Sequence, residues 1–454
     1  MLNLMDLGKV IRIAPLKSLL QLNSLMIFGP RQTGKSTLIR QVLGEECVYY
    51  DLLDTKVFAE VSQRPWLIRE QMTPERKVVV IDEIQKVPAL LDEVHLMVVR
   101  DPSLRFVLSG SNARKLNRNE RVNMTGGRVW NTELHPFVSA ELGFGLWEER
   151  IAVGSIPGIL ASQDPFRALQ AYAGFYLREE IAAEGLVRSI QNFARFLETA
   201  AQTNGEQLNF VNVASDSGVP ARTVREYYQI LVDTLVGFYL EPWGHGKRKA
   251  VATPKFYFFD VGIANSLVGR REVPKGTPEY GRAFEHLVVC EVRAYLSYRG
   301  LQLPMTYWRT REKYEVDLIL GDELAIEIKA KPMVTDRDLK HLRLIGPEAD
   351  WKRRIVICEE RLWRRTEDGI EIFPVEQFLR RLWNDELIGA ERDKLQLSAG
   401  GVDVAAAGLA HEAGNHAADD RAEGLHALGQ RHFERDAGAG IERDEVHFAA
   451  KAAE

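Results

Sequence analysis

The 454-residue sequence has few cysteines, no long apolar run and little net charge, and each absence excludes a class of protein. Its three cysteines, Cys47, Cys290 and Cys358, lie far apart, so neither a disulfide framework nor a CxxC zinc site is expected. No apolar run approaches the ~20 residues that cross a bilayer, and the start lacks the features of a signal peptide. Because the net charge of the protein is −5, binding of nucleic acid would need a local basic patch. We therefore expect a cytoplasmic protein without a membrane contact.

A second shortage is confined to the C-terminal end. After Trp383 there is no Trp, Tyr, Pro or Cys, and small and charged residues dominate together with five of the ten histidines. Because burial of so few large apolar side chains does not offset the entropy lost on ordering, residues 385–454 are predicted to be a disordered tail or weak isolated helices. The histidines lack the tight spacing of a metal site. The abrupt change in composition also fits a non-native extension.

A glycine-rich stretch near the N terminus has the pattern GxxxxGK[ST] of a phosphate-binding loop, the Walker A motif. It lies between an apolar strand pattern at 25–28 and a helical pattern at 37–43. Backbone N–H groups of such a loop and the positive end of the next helix hold phosphate oxygens. Lys35 is expected to reach the β- and γ-phosphates, and the Ser36 hydroxyl to bind Mg²⁺. The alternative, a glycine turn that matches by chance, is disfavoured by the strand-turn-helix context. The predicted nucleotide-binding residues are Gly29, Pro30, Arg31, Gln32, Thr33, Gly34, Lys35, Ser36 and Thr37.

The strand pattern 77–83 ends in two acids after four apolar residues, which is the Walker B pattern. Alone it would be an ordinary strand that reaches the surface, but here it follows a phosphate-binding loop. Asp82 is predicted to hold Mg²⁺ through water, and Glu83 to act as the general base on the attacking water. Ser111, at the tip of the strand pattern 105–108, is predicted to read the γ-phosphate, with a plain connecting loop as the alternative. The expected cofactors are ATP and Mg²⁺.

The order of patterns predicts several domains. Five strand patterns alternate with helical patterns within residues 1–140, which predicts an α/β domain with a parallel sheet covered on both faces. Apolar spacings of three and four predict a helical lid at 141–207. Residues 208–265 show two helices around Gly218 and then two strands, the order of a winged helix-turn-helix. That module either contacts DNA or serves packing and protein contact. The predicted contacts to DNA phosphates are Arg222, Arg225, Lys247, Arg248 and Lys249.

Residues 270–384 carry a second group of polar residues on the element order α-β-β-β-α-β. Glu327 and Lys329 are two apart on one strand, hence on one face, and Asp317 lies on the neighbouring hairpin strand. Carboxylates that hold Mg²⁺ beside a phosphate, with a lysine that activates water, form a nuclease site. The alternative is a salt-bridged pair on an ordinary sheet. The predicted catalytic residues are Glu285, Asp317, Glu327 and Lys329, and the three acids are the predicted metal ligands.

Together these motifs resemble the prokaryotic AAA+ ATPases. The resemblance implies a P-loop AAA+ sheet with a helical lid, a winged helix, and a restriction-endonuclease-like α/β domain similar to the PD-(D/E)xK nuclease superfamily. It also implies that Arg128 senses nucleotide or reaches a neighbouring subunit of a homo-oligomer. The stretches that carry it are 29–36, 81–86, 108–111, 126–128, 257–262, 284–285, 307–309, 315–317 and 326–329.

Two hypotheses follow. In the first, ATP hydrolysis moves a DNA-facing winged helix and a nuclease-like domain. In the second, the protein is a regulatory switch that binds ATP, hydrolyses it slowly and uses an inactive nuclease-like domain for protein contact. Metal-dependent DNA cleavage by the purified protein separates the two hypotheses.

Overall fold

Two β-sheets and the helices around them form the part of the chain that the structure describes. This computed structural model describes residues 10–73, 76–111, 127–176, 189–244 and 253–388. The predicted DNA contacts Lys247, Arg248 and Lys249 lie outside those residues, as does nearly all of the predicted tail.

The N-terminal sheet alternates strands with helices. Its elements are α1 (Leu16–Leu22), β1 (Ser24–Phe28), α2 (Lys35–Leu43), β2 (Cys47–Asp51), α3 (Thr55–Gln63), α4 (Leu67–Glu70), β3 (Val78–Asp82), a 3₁₀ turn (Ile84–Lys86), α5 (Leu90–Arg100), β4 (Arg105–Gly110) and β5 (Val129–Glu133). The strands pair in the order β2-β3-β4-β1-β5, and every neighbouring pair is parallel. The predicted parallel sheet is therefore confirmed.

Both faces of this sheet are buried because successive residues of a strand point to opposite sides. Along β1, Met26 and Phe28 join one hydrophobic cluster, whereas Leu25 and Ile27 join another. Burial of each such side chain stabilises the fold by ~1.5–3 kcal/mol. Since β4 lies between β1 and β3, the segments that follow these three strands meet at one carboxyl edge of the sheet.

Helices connect the two sheets. The elements are α6 (Ser139–Leu142), a 3₁₀ turn (Phe144–Leu146), α7 (Trp147–Val153), α8 (Pro157–Leu160), α9 (Pro165–Ala171), a π turn (Tyr172–Tyr176), α10 (Ile190–Gln202), α11 (Phe210–Ser217) and α12 (Ala221–Asp233). Gly218 ends α11 in the left-handed conformation, at a φ of +65°. Val224, Tyr228 and Leu231 recur at helical spacing on α12 and are buried in the same cluster as α10. The predicted lid and helix pair are helical where described, and their limits as domains remain predictions.

The second sheet is mixed and follows the helix pair. The elements are β6 (Gly237–Pro242), β7 (Lys255–Phe258), α13 (Val261–Leu267), α14 (Pro278–Arg299), β8 (Met305–Arg309), β9 (Glu315–Leu320), β10 (Leu324–Ile328), α15 (Lys340–Ile345), a 3₁₀ turn (Gly346–Glu348), β11 (Arg353–Cys358), β12 (Arg364–Arg365), β13 (Glu371–Pro374) and α16 (Val375–Trp383). The strand order is β12-β13-β11-β10-β9-β8-β6-β7. The hairpin β6–β7 continues this sheet because β6 pairs in parallel with β8. One sheet therefore crosses the predicted limit between 208–265 and 270–384.

Helix α14 links the two halves. The Thr277 side chain caps its start and Pro278 occupies its first position, while Gly300 ends it at a φ of +65°. Its 22 residues span ~33 Å. Its apolar residues share one hydrophobic cluster with Leu25 and Ile27 of β1, and the helix contacts β5 at the edge of the N-terminal sheet.

The predicted tail begins too early. Asp385 accepts hydrogen bonds from the Tyr295 hydroxyl at 2.8 Å and from Arg299 Nε at 2.7 Å. Leu387 and Ile388 are buried in the cluster that contains α14. These residues belong to the folded body, which corrects the predicted start at 385, and residues from 389 onward lie outside the described part.

Candidate functional site

The phosphate-binding loop joins β1 to α2 with the geometry that anion binding needs. Gly34 has a φ of +90°, the left-handed conformation, and occupies the N-cap of α2. Within the described residues no side chain caps this helix, and its first intrahelical bond runs from Leu38 N–H to the Gly34 carbonyl. The first-turn N–H groups and the positive end of the helix dipole therefore point toward the loop. Ser36 and Thr37 lie in that first turn.

The predicted lysine lies inside the loop. The Lys35 ammonium donates to the carbonyl oxygens of Gly29 at 2.7 Å and Pro30 at 3.2 Å, and only 5% of the residue is exposed. The Thr33 hydroxyl donates to the Pro30 carbonyl at 2.7 Å. Gly29 has no room for a side chain, because a Cβ there would lie 2.6 Å from the Leu134 carbonyl oxygen. The loop closes around its own ammonium, so phosphate oxygens would compete with these carbonyls for it.

Helices that follow the sheet touch the outside of the loop. The Tyr172 hydroxyl, in the π turn, donates to the Arg31 carbonyl at 3.2 Å. The Gly158 N–H of α8 lies 3.4 Å from the Gln32 carbonyl, and a Cβ at Gly158 would be 2.7 Å from the Gln32 side chain. A change in loop shape on nucleotide binding would therefore alter the contacts of the loop with α8 and the π turn.

Arg12 is a buried site residue that the sequence reasoning missed. Its guanidinium donates to the carbonyl oxygens of Thr33 at 3.1 Å and His135 at 2.6 Å. It also donates to the Tyr298 hydroxyl at 3.0 Å and pairs with Glu141 at 2.9 Å. It thus joins the loop, the segment after β5, the start of the helical region and the end of α14. No motif marks it, because its partners lie up to 286 positions away in sequence.

The first Walker B acid ends β3 in a buried position. Asp82 is 1% exposed and accepts hydrogen bonds from the Tyr49 hydroxyl at 2.6 Å and from the Ser109 hydroxyl. Burial and this bond to the carboxylate raise the pKa of Tyr49, which therefore remains a donor. The described hydrogen-bond partners of Asp82 are both neutral hydroxyls. Tyr49 was not predicted, since only the strand pairing brings it to Asp82.

The second acid has its own network. Glu83 has a φ of +60°, an uncommon conformation for a non-glycine residue, and its N–H donates to the Ser109 hydroxyl at 3.3 Å. Its carboxylate accepts a hydrogen bond from the Gln85 amide, which also donates to Ser111 Oγ at 3.2 Å. The structure therefore brings Asp82, Glu83 and Ser111 to the same edge of the sheet as the loop.

Arg128 is not brought to this edge within one chain. It is exposed and precedes β5, whose first residue, Val129, pairs with Ser24 at the start of β1. The phosphate-binding loop follows the other end of β1, about 13 Å away along the strand. Contact with a neighbouring subunit remains a prediction for this residue.

In the second sheet, three of the four predicted residues, Asp317, Glu327 and Lys329, meet and form the acid–lysine cluster. The Lys329 ammonium lies 2.6 Å from Glu327 Oε1 and 3.6 Å from Asp317 Oδ2. The antiparallel register of β9 and β10, with Ile326 opposite Leu318, places the two acids on the same face. Burial and the charge of Asp317 raise the pKa of Glu327 to about 6.

Glu285 is held by other partners. The Lys255 ammonium lies 3.2 Å from Glu285 and 2.6 Å from Glu315, and the Tyr257 hydroxyl donates to Glu285 at 2.5 Å. Lys255 is buried; burial alone would lower its pKa, but the charges of Glu285 and Glu315 raise that pKa well above its ordinary value. Lys255 was not predicted, since β7 carries no motif that points to α14.

The predicted three-carboxylate metal site is not assembled in the described residues. Among them no group of three or more His, Cys, Asp or Glu side chains is placed to hold a metal ion. Glu327 Oε2 is buried there without a hydrogen-bond partner, whereas Oε1 lies beside Lys329 and 3.5 Å from His341. The donors fit a metal only in part, because the chain's own lysines occupy the acids.

The predicted DNA contacts on α12 are exposed. The Arg222 side chain is 92% exposed and lies 3.4 Å from Glu226. The Arg225 guanidinium lies 4.6 Å from the centre of the Phe210 ring. Both cations are accessible from solvent, but the rest of the predicted surface falls in the undescribed wing tip.

Comparison with known proteins adds a family to this geometry. Residues 21–143 match the AAA domain family. Residues 145–273 and 280–378 match two families that are each described as a domain of unknown function. Uncharacterized proteins of Mycobacterium tuberculosis and Mycobacterium bovis are each 27% identical over 317 residues, which is 67% of this chain and 69% of each relative.

The AAA match and the parallel sheet support a prokaryotic AAA-type ATPase with additional domains of unknown function. An AAA domain implies nucleotide binding, typically with Mg²⁺. None of the helices in the described part of the chain is long and apolar enough to cross a membrane.

Proposed function

We propose that the protein binds Mg-ATP in the loop 29–36 and hydrolyses it with Glu83 as the general base. The observation that carries the proposal is the meeting of the lysine-containing loop with Asp82 and Glu83 at one carboxyl edge. The AAA match over the same residues supports nucleotide binding and ATPase activity. In this site Lys35 contacts the β- and γ-phosphates, and Glu83 accepts a proton from water.

The donors at this edge fit Mg²⁺. Ser36 supplies a hydroxyl on the first turn of α2, and Asp82 supplies a buried carboxylate whose described hydrogen-bond partners are neutral hydroxyls. Oxygen donors of this kind suit a hard divalent cation that keeps some of its water. The bound ion would neutralise charge on the phosphates. Asp82 would hold it through water, as the sequence predicts.

Replacement of Glu83 by glutamine tests the hydrolytic assignment. Glu83→Gln keeps the size of the side chain but removes the proton acceptor, so turnover should fall at least ~100-fold while the Kd for Mg-ATP stays unchanged. Glu45→Gln, at an exposed position before β2, makes the same chemical change away from the site and should leave turnover unaltered. Full turnover in Glu83→Gln would contradict the assignment.

We further propose that hydrolysis drives the C-terminal half. Loop contacts with α8, the π turn and Arg12 support this coupling, because they join the nucleotide loop to the helical region and α14. In the first candidate function, the helix pair α11–α12 faces DNA through Arg222 and Arg225, assisted by Lys247, Arg248 and Lys249. Arg222→Ala with Arg225→Ala should weaken DNA binding and flatten its salt dependence, while ATP turnover without DNA is unchanged.

The neutralised acids favour the second candidate function, a switch whose nuclease-like domain is inactive. Lys255 and Lys329 already pair with Glu285, Glu315 and Glu327, so these acids do not need a cation from solution. Incubation of the protein with DNA in Mg²⁺ or Mn²⁺ decides between the candidates. Cleavage that Asp317→Ala abolishes supports the first candidate, and its absence in active ATPase supports the second.

Assembly belongs to the same proposal. Because Arg128 is exposed and far from the loop of its own chain, its role would require a neighbouring subunit in a homo-oligomer. Sedimentation with and without ATP measures the oligomeric state. A monomer under turnover conditions would remove the proposed role of Arg128.

A further inference from the structure

Gln85 has contacts that a simple turn residue does not need. It lies in the 3₁₀ turn after β3 and is 9% exposed. Its amide nitrogen donates one hydrogen bond to Glu83 Oε2 and a second to Ser111 Oγ at 3.2 Å. Its carbonyl oxygen, Oε1, is buried with no hydrogen-bond partner among the described residues. A buried carbonyl without a donor is costly, which points to a donor that arrives with the substrates.

The chemistry of the neighbours fixes the orientation of this amide. A reversed amide would place its carbonyl against the Glu83 carboxylate, and two acceptors would then face each other. The nitrogen therefore faces Glu83, and the carbonyl is left for another group. Glu83 itself is held in an unfavourable backbone conformation, with its N–H on Ser109. The contacts of the turn therefore hold the side chains of Glu83 and Gln85 in place, although the backbone of Glu83 has an uncommon conformation.

We propose that Gln85 is a positioning residue for the attacking water, an inference that rests on the proposed hydrolytic function. Its N–H group holds the Glu83 carboxylate, and its carbonyl accepts one hydrogen of the water while Glu83 accepts the other. Two acceptors orient the water so that an oxygen lone pair faces the γ-phosphorus. The water oxygen bonds to the γ-phosphorus as the bond to the bridging oxygen breaks. The bond's electron pair leaves with ADP, and the water proton passes to Glu83.

The test compares Gln85→Met with Gln71→Met. Methionine keeps the length of the side chain but removes both the donor and the acceptor. Gln85→Met should lower kcat ~10- to 100-fold, with the Kd for Mg-ATP within about twofold of wild type. Gln71 accepts a hydrogen bond from the Tyr50 hydroxyl at 2.8 Å, outside the acid network, so Gln71→Met should keep wild-type kcat. Gln85→Leu, which also lacks both polar groups, should lower kcat to a similar extent and takes the place of the methionine variant if that variant folds poorly.

A double variant separates positioning from general damage to the fold. If Gln85 acts on the same water as Glu83, Glu83→Gln with Gln85→Met should turn over no more slowly than Glu83→Gln alone. Independent, multiplicative losses would overturn the inference, as would wild-type kcat in both Gln85 variants while Glu83→Gln is inactive. That second result would leave the proposed ATPase intact. Full turnover in Glu83→Gln would instead overturn the proposed function itself.

Discussion

The carboxyl edge that holds the loop 29–36, Asp82 and Glu83, called the nucleotide edge, and the acid–lysine groups of the second sheet use the same residue types but satisfy their charges differently. At the nucleotide edge, Asp82 accepts hydrogen bonds from two hydroxyls, and Lys35 donates hydrogen bonds to two loop carbonyls. In the second sheet, Lys255 and Lys329 lie directly against carboxylates. Under the proposed function, a ligand with phosphates and a cation would complete the first arrangement. In the second arrangement the chain supplies cations of its own, as a structural core or a switch requires.

Removal of the buried lysine should produce the largest effect. Lys255→Met keeps most of the aliphatic stem but leaves the half-buried Glu285 without its lysine, whereas Glu315 keeps Arg309 at 2.7 Å. The free energy of unfolding should therefore fall by about 3 kcal/mol, the low end for a broken buried pair. Urea denaturation measures this loss. Lys352→Met is the matched control, because Lys352 pairs with Glu323 at 2.9 Å with a side chain that is 63% exposed, and such pairs contribute about 0–1 kcal/mol.

The effect of Mn²⁺ on the melting temperature is a second test of the same contrast. If the lysine stands where a cation would otherwise be needed, Mn²⁺ should raise the melting temperature of Lys255→Met more than that of wild type. Equal stability of Lys255→Met and Lys352→Met would show that the acids do not depend on this ammonium. The contrast between the two regions would then disappear.

At the nucleotide edge, loss of the ammonium should affect the ligand rather than the fold. Lys35→Ala removes charge-assisted hydrogen bonds to the phosphates, so the Kd for Mg-ATP should rise roughly 100-fold, or about 2.7 kcal/mol. Isothermal titration measures the affinity. Arg40→Ala, on the same helix, removes an exposed cation 3.4 Å from Asp51 and should leave the affinity unchanged. Wild-type affinity in Lys35→Ala would sink the assignment of the loop.

Local patterns carried more information about the N-terminal sheet than about the contacts of the second sheet. The strand alternation is periodic, so the sequence alone predicted the parallel sheet, which the strand pairing confirms. Lys255 and Arg12 act through partners far away in sequence, and no spacing reveals such contacts. The sheet that continues from β6 into β8 was missed for the same reason, since strand pairing between distant segments leaves no local pattern.

The pH dependence of stability tests the acid–lysine cluster, with a smaller expected change in the free energy of unfolding. The pKa of Glu327 is raised to about 6 from an ordinary 4.5, mainly by burial, so the folded protein holds this proton longer than the unfolded chain. Stability from this group is therefore lost as the pH rises from about 4.5 to about 6. Glu327→Gln stays neutral, so its stability relative to wild type should increase by about 1–2 kcal/mol across that window.

Urea unfolding of both proteins at pH 4.5 and pH 7 measures this change. The pKa of Asp260 is also raised to about 6 by burial, but Asp260 titrates in both proteins and cancels in the difference. The pKa of His341 is raised by its hydrogen bond to Glu327 and does not cancel, so both proteins carry His341→Gln. A difference between the two proteins that does not vary with pH would mean that Glu327 ionises in the fold as it does in the unfolded chain. Glu327 would then titrate like an exposed carboxyl group rather than a buried one.

The smallest effect is expected where neither region is touched. Deletion of residues 389–454 should leave the melting temperature, the Kd for Mg-ATP and the stability loss of Lys255→Met unchanged, because that segment has few large apolar side chains. Deletion from 385 is the informative control. It also removes Asp385, which bonds to α14, and the buried Leu387 and Ile388, each worth ~1.5–3 kcal/mol of burial. A lower melting temperature in the longer deletion alone would place the end of the folded body between 384 and 389. Equal losses in both deletions would show that the segment after 388 docks on the body and contributes to one of the two regions.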